Sequence, residues 1–225
     1  ILAGGTDLMV TLPQSPPREV INIWGCSELR GVTETEGTGA VRIGSLTTWT
    51  QLMRHAAIPE VLQECARTVG AAQIQNRGTV GGNIMNASPA GDSLPLWLVL
   101  DAELELASIR GRRRVQAEQF WTGYRTTAIQ PDELLVAVHI QPDHSDHMIY
   151  RKVGTRLAQS ISKVVLGGRL RVRDGRVTQA RLAMGSVGAI PLRLPTVEAA
   201  LLGKPVDPDV AEHVCTDITP IDDIR

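Results

Sequence analysis

Along this chain the spacing of apolar positions changes repeatedly, and each change marks an element. Val61, Leu62, Cys65, Ala66 and Val69 recur at the three-to-four-residue interval of a helix with one face on a core. Pro59 suits the first turn of that helix, which should reach about Val69. Thr47 and Thr48 offer hydroxyls to cap an earlier helix running through Arg54. Ser93 to Leu100 is apolar on nearly every side, with Pro95 in its first turn, and predicts a buried helix.

The strand signals lie between and after these helices. Glu19 to Ile23 alternates. Val32 to Thr35 and Ala40 to Ile43 flank Glu36-Gly37-Thr38-Gly39, a hairpin pattern. Ala102 to Ser108 and Arg114 to Ala117 flank a turn at Gly111, and another strand runs from Glu133 to Ile140. Ile161 to Val172 and Val177 to Val187 flank Arg173-Asp174-Gly175-Arg176, where Asp-Gly favours a tight hairpin. Two helices should follow, Thr196 to Leu202 and Pro208 to Thr216. The polar, turn-rich stretch Gln141 to His147 reads as a boundary between a domain of residues 1–145 and one of 146–225. Ile1-Leu2 reads as the end of a strand, followed by a turn at Ala3 to Asp7 and a short helix at Leu8-Met9-Val10. Both ends read as cut. The fold class expected is α+β.

Composition narrows the partners. Of 225 residues, 43% are hydrophobic but only 3% aromatic, so the core must be built mainly from Val, Leu, Ile and Ala. The formal net charge of -1 gives nucleic acid or anionic membrane no electrostatic foothold. No apolar run approaches the ~18–20 residues of a membrane span, and no signal peptide is evident. Cys26, Cys65 and Cys215 are sparse and form no C-x-x-C pair, as expected of reduced thiols in a cytoplasmic protein with no metal cluster of its own.

Candidate chemistry sits at two glycine turns, Gly4-Gly5 and Gly81-Gly82. Glycine lets backbone amides converge with no Cβ in the way, and convergent amides bind anions such as a pyrophosphate. Thr6 and Thr79 add hydroxyls, and Asn83, Asn86, Ser88 and Asp92 follow the second turn. One Gly-Gly turn is most often only a turn; two with neighbouring threonines are harder to dismiss. Neither opens a G-x-G-x-x-G fingerprint, and no P-loop is present, so a dinucleotide would need another fold. His144 and His147 form an H-x-x-H with no accompanying Cys or Glu cluster, better read as solvated than as a metal site. Arg110 and Arg112 to Arg114 either tip a hairpin or contact a partner or phosphates. No hydrolytic triad or carboxylate pair stands out.

Ala3-Gly4-Gly5-Thr6-Asp7-Leu8 resembles the first FAD-binding turn of the molybdenum-hydroxylase flavin subunits, of the xanthine dehydrogenase and carbon monoxide dehydrogenase type. Arg77 to Asp92, RGTVGGNIMNASPAGD, resembles their second and more distinctive segment. Ile43 to Thr48 is similar to the junction between the two turns. Tyr150 to Arg156 is similar to the opening of the domain that follows. The resemblance implies a two-lobed FAD-binding domain of the molybdopterin-dehydrogenase and vanillyl-alcohol-oxidase-like type, then a smaller domain of antiparallel sheet and helices. It implies that Ala3, Gly4, Gly5, Thr6, Asp7 and Leu8, with Thr79, Val80, Gly81, Gly82 and Asn83, hold the FAD pyrophosphate. Ser88 would belong to the cofactor site, and Asp92 would accept hydrogen bonds from the ribose or ribityl hydroxyls. Ile84, Val136 and Lys152 would lie near the isoalloxazine, with Val69 where relatives often carry an aromatic. Ser160-Ile161-Ser162 stands where relatives often show Asp-Ile-Ala. Some members of the wider superfamily attach FAD through His or Cys; neither turn has such a neighbour, so the flavin is expected to be non-covalent.

Further implied are a partner subunit carrying the molybdenum cofactor, another carrying 2Fe-2S clusters, and an acceptor such as NAD+ or dioxygen. The flavin itself would carry the redox chemistry, and the protein would bind and orient it. Two other readings stay open: a free-standing FAD oxidoreductase with its own small substrate, and a non-catalytic module that has lost flavin. At single residues too the alternatives remain. Asp92 could cap the helix at Ser93, and Lys152 could form only a surface ion pair.

Overall fold

A computed structural model describes residues 1–11, 19–143, 146–156 and 159–210. Near the start, Leu2 bridges Asn22 in parallel, and a short helix, α1, spans Leu8–Thr11. The strand expected over 19–23 shrinks to that bridge: Leu2 N donates to Ile21 O at 2.8 Å and Ile23 N to Leu2 O at 3.0 Å. Among the described residues no longer strand pairs with it, so the alternation has no described sheet to join.

The expected hairpin forms from β1 (Val32–Thr35) and β2 (Ala40–Gly44). Five short helices follow: α2 (Trp49–Leu52), α3 (Glu60–Thr68), α4 (Ala72–Gln75), α5 (Val80–Asn86) and α6 (Leu94–Val99). Thr48 caps α2 in a reciprocal box with Gln51, and the helix ends at Leu52 rather than Arg54. Thr47 does not cap it; its hydroxyl bonds both Gly31 N and Gly31 O at 3.0 Å. Pro59 is the N-cap of α3, whose buried stripe is Val61, Leu62, Cys65 and Ala66.

Then come β3 (Glu103–Ser108), β4 (Gly111–Gln116), α7 (Ala117–Phe120), β5 (Trp121–Gly123), β6 (Thr126–Thr127) and β7 (Leu134–Ile140). The turn joining β3 to β4 is at Ile109 and Arg110, because Ser108 already pairs with Gly111. The strand expected from Arg114 to Ala117 therefore starts three residues earlier, and Ala117 belongs to α7.

These strands make a fully antiparallel sheet in the order β1-β2-β7-β3-β4. One face buries Val41, Ile43, Leu104, Leu106 and Val138 in a single apolar core with Leu62, Ile84 and Trp97. The other face is ionic. Glu105 meets Arg112 at 2.6 Å, His139 at 2.7 Å and Arg42 at 3.8 Å. Burial pushes the Glu105 carboxyl up, but hydrogen bonds from His139 and Arg112 outweigh it and hold the group below its ordinary value. The arginine run belongs to the hairpin: Arg110 pairs with Asp132, Arg113 with Glu133 and Arg114 with Glu103.

A second antiparallel sheet has the order β11-β10-β9-β8, from β8 (Asp146–Gly154), β9 (Ser162–Arg173), β10 (Arg176–Gly185) and β11 (Leu192–Arg193). The β9–β10 turn holds Asp174 at φ 50 and Gly175 at φ 73, the two positive values that an Asp-Gly hairpin needs. Helix α8 (Pro195–Leu201) follows. Of the second expected helix, residues 208–210 are helical and the rest lies outside the described residues, as does His144. The second sheet rests on α6. A Cβ on Gly167 would lie 3.0 Å from Leu96 Cδ2, and one on Gly185 2.9 Å from Pro95 Cγ. Beyond α6, Asp101 receives Arg169 at 2.8 Å, Arg181 at 3.3 Å and Arg193 at 3.9 Å from the same sheet. Among the described residues, no helix is long and apolar enough to cross a membrane.

Candidate functional site

The two glycine turns meet. A Cβ on Gly4 would stand 1.8 Å from Arg77 O, so only glycine lets the first turn lie against the backbone that leads into the second. Trp24 reinforces this junction: the guanidinium groups of Arg77 and Arg30 lie over its ring, 3.9 and 4.4 Å from the centroid. Between the turns opens a cleft of about 620 Å³.

The second turn is built into the core. Thr79 is the N-cap of α5, its hydroxyl accepting from Gly82 N at 3.0 Å. Val80 N donates to Thr47 O at 2.9 Å, Gly81 N to Ser45 O at 2.8 Å and Asn83 N to Thr79 O at 3.0 Å. A Cβ on Gly81 would lie 2.6 Å from Ser45 Cβ. The amides from Val80 to Asn83 are therefore committed internally, which departs from the expectation that they point at a ligand. What α5 offers the cleft is a face without bulk. Thr79, Gly82, Asn83 and Asn86 follow one another at helical spacing, and all line it.

The first turn is the complement. Gly5 sits at φ 78, and Gly5 O and Asp7 O accept from Met9 N and Val10 N. The amides of Ala3, Gly4, Gly5, Thr6 and Asp7 donate to no acceptor among the described residues. Five consecutive N–H groups without an acceptor among the described residues, in residues that line a cleft, are the donor set that an anion nest requires.

Not every expected site residue reaches the cleft. Ala3, Gly4, Gly5, Thr6, Asp7, Leu8, Val69, Thr79, Gly81, Gly82 and Asn83 line it. The side chains of Val80, Ile84 and Val136 lie in the interior at 0%, 0% and 4% exposure. Ser88 is half-buried and off the lining. Asp92 and Lys152 are gathered elsewhere: Lys152 Nζ donates to Asp92 Oδ2 at 2.7 Å and to Thr68 O at 3.0 Å, and Ser162 Oγ donates to Asp92 Oδ1. Asp92 thus does not cap α6, and its pair with Lys152 is about 10% exposed rather than a surface contact. Lys152 so fixes the end of α3 one residue before Val69, and Tyr150, 3.0 Å from the Thr68 hydroxyl, fixes it again. Burial, with the nearby Asp92 charge, pushes the Cys65 thiol beneath this network far up, so it stays protonated and inert.

Several lining residues were not singled out in the sequence as site residues, four of them with polar or aromatic side chains. Ser45 has a buried hydroxyl with no hydrogen-bond partner. Trp49 forms a wall. Arg125 donates to Asn86 Oδ1 at 2.8 Å. Glu133 is held by Arg113 at 2.6 and 2.7 Å. The hydrogen bonds from Arg113 bring the Glu133 carboxyl down to about 2. Asn86, three residues beyond Asn83, was reachable from helical spacing alone.

Comparison with known proteins agrees with this geometry. Residues 1–142 match the family described as the FAD binding domain in molybdopterin dehydrogenase, and residues 149–225 the CO dehydrogenase flavoprotein C-terminal domain. The chain belongs to the FAD-binding medium subunits of the xanthine and carbon monoxide dehydrogenase family. It is 34% identical over 231 residues to the xanthine dehydrogenase FAD-binding subunit of Escherichia coli O157:H7, covering 98% of this chain and 79% of that one. To the nicotinate dehydrogenase FAD-subunit of Eubacterium barkeri it is 34% identical, covering 94% and 74%. The structure superposes on that of carbon monoxide dehydrogenase from Hydrogenophaga pseudoflava with a TM-score of 0.91 at 28% identity, covering 99% and 80%. As a medium subunit it is part of an oxidoreductase, and its first domain is an FAD-binding domain.

FAD fits what is present. A nest of unpaired amides suits its pyrophosphate, glycines leave the floor open where a Cβ would collide, and Ser45 brings an unsatisfied hydroxyl.

Proposed function

We propose that this chain is the electron-transfer subunit of a molybdenum hydroxylase and holds FAD non-covalently in the cleft between its glycine turns. The observation that carries the reading is the run of amides from Ala3 to Asp7, without acceptors among the described residues, in a cleft that Thr79, Gly81 and Gly82 also line. These amides would hold the pyrophosphate, with Thr79 and Asn83 opposite. Val69 would border the flavin from the end of α3, in the position set by Lys152 and Tyr150. Lys152 and Asp92 act in this reading by fixing that wall. Ser88, Val80, Ile84 and Val136 support the cleft rather than touch the cofactor through their side chains. When bound, FAD exchanges one or two electrons, which lets it link single-electron iron–sulfur clusters on a partner subunit to a two-electron acceptor such as NAD+, or to dioxygen. The substrate would be oxidised at a molybdenum cofactor on another subunit. One observation is consistent with that division of labour. Of the cleft's two carboxylates, the Glu133 side chain is buried but paired with Arg113 and Asp7 is exposed, so among the described residues neither is an unpaired buried acid or base.

The test is a visible spectrum of the full-length chain, desalted after incubation with FAD and then precipitated with acid. The oxidised-flavin bands should appear with the protein and stay in the supernatant after precipitation. Bands that remain with the pellet would mean covalent attachment, and their absence from the full-length chain would sink the proposal.

A further inference from the structure

The cleft holds few charged side chains. Among the described residues its ionisable side chains are Asp7, Glu133 and Arg125. Glu133 is matched by Arg113, a bidentate pair that adds no net charge. Asp7 contributes a negative charge at the rim. A diphosphate entering this site would meet partial positive charges from backbone N–H groups and a single full one, on Arg125.

The placement of Arg125 is specific. It occupies the turn between β5 and β6 in a left-handed conformation, φ 50, that a side chain other than glycine's adopts at some cost. Its Nη1 is tied to Asn86, the last residue of α5 and a member of the helical face that Thr79, Gly82 and Asn83 present to the cleft. A guanidinium has five N–H donors, and this bond uses one. Every neighbouring arginine of the first sheet's hairpin has a carboxylate, whereas Arg125 forms no ion pair with a described residue. A tethered, unneutralised cation in a cleft with an amide nest points to an anion as its partner.

We propose that Arg125 is a cofactor-binding residue that supplies the charge for the diphosphate of the bound dinucleotide. This rests on the reading of the cleft as the FAD site. The guanidinium reaches over the α5 face toward the anion while Asn86 fixes its orientation. Because Arg125 is exposed, salt screens the interaction and its contribution is moderate.

The experiment measures FAD affinity of the full-length, flavin-stripped chain by fluorescence quenching at two ionic strengths. R125Q keeps a side chain able to bond Asn86 but removes the charge. Its FAD dissociation constant should rise about tenfold at low salt, and its affinity should vary less with salt than the wild type's. R125K should keep most of the affinity and the wild-type salt slope, since a charge is what the anion needs. Melting curves of all three confirm the fold. Wild-type affinity or an unchanged salt slope in R125Q would overturn the proposal. So would an R125K as weak as R125Q, because the role would then be one of shape. Failure of the wild-type chain to bind FAD is a different result, and it removes the cofactor reading itself.

Discussion

The two glycine turns have nearly the same composition and opposite construction. The turn at Gly81-Gly82 spends its amides inside the fold, on Ser45, Thr47 and Thr79, and its flanking Val80 and Ile84 are fully buried. The turn at Gly4-Gly5 spends none of the amides from Ala3 to Asp7 on a described residue, and nearby Met9 and Val10 are exposed. One is a rigid floor set by the core. The other is a set of donors carried by a segment whose main anchors are a single bridge to Asn22 and the contact with Arg77. Binding a flexible anionic cofactor uses both: a surface that does not move, and donors with nothing else to bond.

Substitutions in each turn separate these roles. Gly81→Ala should have the largest effect. Its Cβ would press on Ser45 at 2.6 Å within packed surroundings. We expect a loss of about 1–3 kcal/mol of stability together with loss of FAD binding, read from denaturant melts and flavin retention. Gly4→Ala should split the two readouts. Displacing the first turn from Arg77 leaves the core untouched, so stability should change by about 0.5 kcal/mol or less, while FAD affinity falls about a hundredfold. Equal stability losses in the two variants would break the comparison. The smallest effect belongs to the wall beside them. An unfolded Glu133 titrates near 4.5 and the folded one at about 2, so as pH falls the unfolded chain takes up the proton first. The stabilisation from its pair with Arg113 is complete above pH 4.5 and is lost as pH drops toward 2. Glu133→Gln should therefore be less stable than wild type at pH 7 by about 0.5 kcal/mol, and the difference should close in acid unfolding curves between those values.

Much of the architecture was readable because its causes are local. The stripe of α3, the Asp-Gly turn between β9 and β10, and the cap at Thr48 each depend on residues a few positions apart. Helix α7 and strands β5 and β6 escaped notice because elements of four, three and two residues leave no period to detect. The site was legible as a pair of turns and opaque as a geometry. That the amides after Thr79 are committed depends on carbonyls at Ser45 and Thr47, more than thirty positions earlier. Asp92, which looked able to cap its own helix, finds Lys152 sixty residues away. Arg125 sits in an unremarkable Gly-Tyr-Arg turn, and only the fold reveals that the turn overhangs the cleft.

Helix α6 joins these regions mechanically. Pro95 and Leu96 rest against Gly167 and Gly185, positions where the second sheet shows bare backbone. The sequence pattern divides the chain near residue 145, yet this contact leaves the halves no slack at which to part. Cut there, the first half would lay open a proline–leucine patch, and the second would expose a strip of main chain. A graft of the flavin cleft onto another protein would have to bring the second sheet with it or cover the α6 surface that the sheet hides.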